Sequence, residues 1–278
     1  MSNKIKNKFG IMQGRLLPKY HGRYQAHPVG YWKDEFPIAS QLGLDSIEFI
    51  LDYNDAEKNP LLTSSGIEDI QKIENLSGVK VRSICADYFM EAPIHSNNIA
   101  IVDKSLNVLD RLIKNASLLN VKNIVIPCVD QSSLKNTENK NNFINNIKKM
   151  VGTAERADIN ISLETDLAPI PFANLLDSIN SQNVTVNYDT GNSAALGYNP
   201  EEEFISYGHK ITDLHIKDRL LGTGPVQLGA GDVNFSKIFD LLSKYKYKGI
   251  IIFQAFRDDE GIEIFKKQLS WFFKNVTE

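Results

Sequence analysis

Cysteine is scarce in this 278-residue chain, limited to Cys85 and Cys128, and each sits inside an apolar run. Two thiols so placed read as reduced and buried. That excludes a disulfide framework or a cysteine-rich metal site and suits a cytoplasmic enzyme. Excess positive charge is missing too: 31 lysines and arginines face 34 aspartates and glutamates, for a formal charge of -3. No basic field is available to hold nucleic acid, so a small-molecule substrate is expected. No apolar run approaches membrane-spanning length. The polar, lysine-rich lead over residues 1–8 is followed by no signal-peptide core, so neither membrane insertion nor secretion is expected. No Gly-x-Gly-x-x-Gly follows the first strand, which removes the best marker of an open dinucleotide-binding sheet.

Present instead are eight short apolar runs rich in β-branched residues, separated by segments of helical length. They span 9–15, 46–52, 81–88, 123–129, 159–166, 184–190, 211–218 and 249–256. Most are apolar on both faces, as parallel strands covered by helices must be. Ile99, Val102, Leu106, Leu109 and Ile113 recur at helical spacing. Gly43 and Gly78 close the first two helices, and Asn199-Pro200 followed by three glutamates opens another. With 42% hydrophobic residues and no break in composition, the pattern predicts one α/β domain over residues 1–278, a single (β/α)8 TIM barrel.

In such a barrel the reacting groups project from the carboxyl ends of the strands. Four successive runs end in Leu163-Glu164, Tyr188-Asp189, Leu214-His215 and Phe253-Gln254. Alternation places Glu164, Asp189, His215 and Gln254 inward and their neighbours toward the helices. Carboxylates gathered at a barrel mouth need a cation. Two carboxylates, an imidazole and an amide oxygen suit one divalent metal, whether Mn, Co, Zn or Mg.

Glu48 and Asp87, at the ends of the second and third strands, are either further acid/base groups or hydrogen-bonding groups of the mouth. Arg15, Lys217 and Arg257 lie just past strand ends; they either form a cationic rim for a substrate phosphate or carboxylate or are simply solvated. The glycine-rich run 222–231 is weak evidence for phosphate binding. The long first βα loop, 16–35, is dense in recognition-capable side chains and could act as a lid. His27 before Pro28 is its first candidate for substrate contact, while Tyr31, Trp32 and Phe36 could equally be the buried face of the first helix.

Ser162-Leu163-Glu164, Tyr188-Asp189-Thr190-Gly191-Asn192, His215-Ile216-Lys217-Asp218 and the run 228–235 together resemble the xylose-isomerase-like TIM barrels, over nearly the whole chain. That family includes sugar-phosphate isomerases, ketose 3-epimerases, inosose-processing enzymes and endonuclease IV. The resemblance implies metal ligation by Glu164, Asp189 and His215, substrate contacts at Gln13 and Asn192, and a homodimer or homotetramer. Gln254 departs from the pattern, because the epimerases have a glutamate there. An amide can offer an oxygen to a metal but accepts no proton at neutral pH.

The expected activity is a metal-dependent isomerisation or epimerisation of a sugar or sugar phosphate, with Glu164 taking the proton beside a metal-polarised carbonyl. An inosose-type dehydratase and a non-catalytic sugar-binding descendant are the alternatives. Five histidines are too few for the three-metal cluster of endonuclease IV.

Overall fold

Eight parallel strands, none longer than six residues, close on themselves: β1 Phe9–Met12, β2 Ser46–Ile50, β3 Lys80–Cys85, β4 Asn123–Cys128, β5 Asn160–Thr165, β6 Val184–Asp189, β7 Ile211–Ile216 and β8 Ile250–Phe253. Neighbours follow chain order and β8 pairs with β1, so the sheet has no edge. This computed structural model describes residues 7–259 and 261–277; six residues of the polar lead, 1–6, lie outside the described residues. The eight expected runs coincide with the eight barrel strands. All eight strands stop short of the expected end, because their last residues leave the ladder and turn into the βα loops.

Helices α1 Glu35–Gln41, α2 Ser64–Ser77, α3 Ile99–Leu118, α4 Thr137–Ala157, α5 Pro169–Ile179, α6 Pro200–Tyr207, α7 Phe235–Lys244 and α8 Ile262–Phe272 surround the barrel. Their ends follow local chemistry. Asn199 accepts from the Glu201 N–H ahead of Pro200, and Gly78 closes α2 at φ 78°, a left-handed conformation glycine adopts without strain. On α3, Val102, Leu109 and Ile113 are buried as the spacing requires, whereas Ile99, in the first turn, is exposed.

Alternation along the strands separates two cores. Outward residues such as Phe49, Leu163, Leu214 and Phe253 pack with the helices, while Met12, Ile50, Cys85, Val125 and Ile252 form a smaller apolar cluster. Hydroxyls near the amino ends of the strands satisfy one another: Ser162, Thr185 and Thr212 are linked at 2.7–3.0 Å. Gly10 is required in β1, since a Cβ there would lie 2.3 Å from Ser46 Oγ and 2.7 Å from Ile252 Cδ1. Both cysteines are free and buried. No helix is long and apolar enough to cross a membrane among the described residues.

The glycine-rich run 222–231, weak evidence for phosphate binding in the sequence, uses its amides within the protein. The Asp218 carboxylate accepts the N–H groups of Gly229 (2.8 Å), Gly231 (3.0 Å) and Val233 (3.2 Å), so the amides a phosphate would need are already paired. The run 222–231 is therefore folded by its own acid. A two-residue ribbon, Asp218–Arg219 against Pro225–Val226, completes the loop.

Candidate metal centre and active site

β5, β6 and β7 bring Glu164, Asp189 and His215 together at their carboxyl ends, with one ligand atom from each lying within 4.8 Å of the others. His215 Nδ1 faces Glu164 Oε2 at 3.6 Å and Asp189 Oδ2 at 4.0 Å, and the imidazole is fully buried. Its other nitrogen, Nε2, meets Glu48 Oε2 at 2.9 Å. With Nε2–H donating to Glu48, the Nδ1 lone pair faces the two carboxylates, which is the form that ligates a metal. Asn187, one turn of alternation below Asp189, donates from Nδ2 to Glu164 Oε2 at 3.0 Å and lies 3.1 Å from Nδ1.

The electrostatics call for a cation. Burial opposes the imidazolium of His215, but Glu48, Glu164 and Asp189 outweigh it and raise its pKa to about 10. Burial and then Asp189 push Glu164 up to about 7, against the opposing pull of His215 and Lys217. Protons thus compete for the positions a divalent ion would take. The Gln254 amide oxygen Oε1 is sealed from solvent without a hydrogen-bond donor, and Asp189 Oδ2 has only the longer ion pair to Lys217 Nζ at 3.5 Å, which leaves both oxygens available to a metal. The donor set and its available oxygens fit one divalent ion.

The remaining expected residues divide. Lys217 turns inward instead of joining a rim, placing Nζ 3.5 Å from Asp189 Oδ2. Asn192 donates from Nδ2 to Glu164 Oε1 at 2.6 Å and accepts from Arg219 Nη1 at 2.8 Å. Gln254 donates from Nε2 to Gln25 Oε1 at 2.7 Å, and Gln25 in turn donates to Asp87 at 3.2 Å. Asp87 also accepts from the Cys85 thiol, so it is engaged with the first loop, while its charge still acts on Glu164. Gln13 is fully buried and accepts from the Ile50 N–H, with His27 Nδ1 at 3.3 Å; His27 itself packs on Phe49.

The first loop lies over the mouth. Glu35 accepts the N–H groups of Gly14 (2.8 Å) and Leu16 (3.0 Å), fixing the turn that carries Arg15. Arg15 donates to Ala255 O and Gln25 Oε1, and Arg257 sits 4.4 Å from the centre of the Tyr24 ring. Burial and the neighbouring Arg257 lower the Arg15 pKa to about 10. Nε of both arginines is buried without a partner. Two guanidinium groups held together in this way are complementary to an anion. Trp32 and Phe36 are core residues.

Asn187, Glu35 and Arg219 were not singled out from the sequence. Asn187 could have been found by the same alternation that found Asp189, because residues two apart on a strand share a face. Glu203 was read as a helix-dipole partner. It is instead buried, accepting from Tyr188, Ser193 and Tyr207 hydroxyls behind the strand that carries Asp189.

Comparison with known proteins places this geometry. A putative L-ribulose-5-phosphate 3-epimerase of Haemophilus influenzae is 26% identical over 269 residues, covering 91% of this chain and 90% of the relative. A D-psicose 3-epimerase structure solved in the presence of D-fructose aligns with TM-score 0.75 at 14% identity, over 98% of this chain and 100% of the other. A xylose isomerase-like protein of Mycobacterium smegmatis, solved with magnesium, aligns with TM-score 0.73 at 18% identity, over 100% and 99%. The model of the xylose isomerase-like TIM barrel family matches residues 36–275, which include the Glu164–Asp189–His215 cluster, and the chain belongs to that family.

Proposed function

We propose that this chain is a divalent-metal-dependent epimerase or isomerase of a ketose phosphate. The observation that supports it most directly is the convergence of Glu164, Asp189 and His215 ligand atoms within 4.8 Å at the barrel mouth. These three residues would hold one ion of Mn, Co, Zn or Mg, with Gln254 Oε1 as a fourth donor. When bound, such an ion polarises a substrate carbonyl and acidifies the adjacent C–H.

Glu164 is the base. Asn187 and Asn192 each hold one of its oxygens, which orients the carboxylate for proton transfer. Glu48 positions His215 and does not face the substrate. Asn192, Gln13 and His27 line the substrate's approach, Lys217 steadies Asp189, and Arg15 with Arg257 takes the phosphate. Relatives named as L-ribulose-5-phosphate 3-epimerases support a phosphorylated substrate.

Gln254 keeps a second reading in play. With no carboxylate at that position, a single-base isomerisation, or loss of water from an inosose-like polyol after the same proton abstraction, needs no second base. The deciding experiment incubates metal-loaded protein with ketose phosphates in deuterium oxide. Exchange at the carbon next to the carbonyl supports the proposal, dehydrated product favours the second reading, and no exchange with any substrate rejects both. Glu164→Gln is expected to lose one equivalent of bound metal along with the exchange.

A further inference from the structure

Past Asn192, on the side of β4 to β6, lies a cavity of about 290 Å³ lined by Val129, Asp130, Lys135, Asp166, Ala195 and Arg219 among others. Asn192 is the wall it shares with the reacting centre, through the bonds from Arg219 to Asn192 and from Asn192 to Glu164. A group seated there is in register with the base.

The charges of this cavity are balanced. Lys135 pairs with Asp166 at 3.1 Å, and Ser133 donates to the same carboxylate at 2.8 Å. Arg219 is held by Thr223 O and Asn192, and Asp130 is set at φ 51°, a left-handed conformation that aspartate adopts more readily than most residues with a Cβ. Two cations, two carboxylates and an apolar floor of Val129 and Ala195 alternate donors, acceptors and C–H surface. That matches hydroxyls that both donate and accept, and it gives a phosphate no net attraction. The Arg15–Arg257 pair, carried by β1 and β8, has the opposite character. The two ends of the site therefore recognise different chemistry. A volume near 290 Å³ is at the small end of complete ligand pockets, about 300 Å³, and is far more than one terminal hydroxymethyl group fills.

We propose that this cavity is a second substrate subsite that takes an uncharged, hydroxyl-rich group, a glycosyl unit or an extended polyol chain, attached to the ketose on the side away from Arg15 and Arg257. The inference rests on the ketose reading above and refines its substrate class.

Its test uses non-reacting ligands, so that it does not depend on turnover. The metal-loaded full chain is titrated calorimetrically with sorbitol and with maltitol, which is sorbitol bearing one glucosyl unit. Maltitol is expected to bind at least about tenfold tighter. Ala195→Phe, which fills the floor, and Lys135→Met, which breaks the charge alternation, each reduce that advantage to under about threefold while the bound-metal equivalent and melting temperature confirm folding. Equal binding of the two polyols by the wild type, or an advantage that survives both variants, overturns the subsite. Failure of the ketose reading appears separately, as absent deuterium exchange with the polyol preference intact.

Discussion

Replacing Glu48 separates two roles that sequence position alone does not distinguish. Its carboxylate meets His215 Nε2 at 2.9 Å, and both side chains have no solvent exposure. If the contact orients the imidazole and raises its basicity, its loss weakens metal binding by roughly 10- to 100-fold, which is about 1.4–2.7 kcal/mol. Glu48→Gln keeps an acceptor oxygen and removes the charge, so it belongs near the tenfold end. Glu48→Ala leaves a buried N–H with no partner, a defect of about 1–3 kcal/mol, and belongs near the hundredfold end. The glutamine variant also relieves the repulsion between Glu48 and the buried Asp213 carboxyl, so its fold is the less perturbed.

The assay is competition for Mn2+ or Zn2+ against a chelating dye, followed by turnover at saturating metal. A positioning Glu48 predicts graded loss of metal affinity with most of the metal-saturated kcat recovered. Unchanged metal affinity with metal-saturated kcat down by about 100-fold or more would refute this reasoning and make Glu48 a proton-transfer group.

Other perturbations have equally defined outcomes. Glu35 is pushed up to about 7 by burial, against its two backbone bonds and the nearby arginines, so its contribution to stability is full below 4.5 and fades as pH rises toward 7. His27 is pushed down to about 4 by burial, so its contribution is full above 6.5 and fades as pH falls toward 4. Each is worth about 3 kcal/mol by linkage, with opposite signs over nearly one window. In urea unfolding, Glu35→Gln should add a positive slope of stability with pH relative to wild type between 4.5 and 6.5, and His27→Asn a negative one; parallel profiles would contradict both assignments. Gly231→Ala puts a Cβ 2.1 Å from Asp218 Oδ1 and should cost about 1–3 kcal/mol in the same assay. Gly224→Ala, with nothing within 4 Å, is the control and should stay within about 0.5 kcal/mol. Gln254→Glu adds a buried carboxylate and loses the bond to Gln25; its metal-free melting temperature should fall and its metal-induced rise should exceed that of wild type, and an unchanged rise would argue against position 254 as a ligand.

Strand order and ligand alternation were legible because both depend on local periodicity. Runs apolar on both faces predict parallel strands, and a period of two puts Glu164, Asp189 and His215 on one side whatever the exact strand ends. Loop geometry was not legible, since it depends on contacts distant in sequence. The run 222–231 offers only a weak hint of phosphate binding, and Asp218 is seen to occupy the Gly229 and Gly231 amides. Glu203 looks like a dipole partner at the start of α6 until the Tyr188 and Ser193 hydroxyls, with Tyr207 one turn along the same helix, close on it. Glu48 and Asp87 were both expected at strand ends, yet Glu48 is the middle residue of β2 and meets His215, while Asp87 lies past β3 and turns toward Gln25.

The distribution of unpaired polar atoms gives these local facts a common cause. Near the amino ends of the strands, Ser162, Thr185 and Thr212 bond one another. Ser46 Oγ, Ser83 Oγ and Asp213 Oδ2 are buried there without a hydrogen bond, and at the carboxyl ends so are Gln13 Nε2, Arg15 Nε, His27 Nε2, Gln254 Oε1, Arg257 Nε and Asp189 Oδ2, the last with only a 3.5 Å ion pair to Lys217. Each such atom costs about 1–3 kcal/mol if it stays unpaired, and six on one face are hard to reconcile with a purely structural role. Asp189 Oδ2 faces His215, where a cation belongs, whereas the Arg15 and Arg257 guanidinium groups lie by the first loop and just past β8, where an anionic substrate group belongs. A scaffold that had lost its ligands would be under no pressure to keep either set buried or to keep the two apart. That separation argues for a working enzyme despite the amide at position 254, and it ties the orientation of the substrate to these same residues.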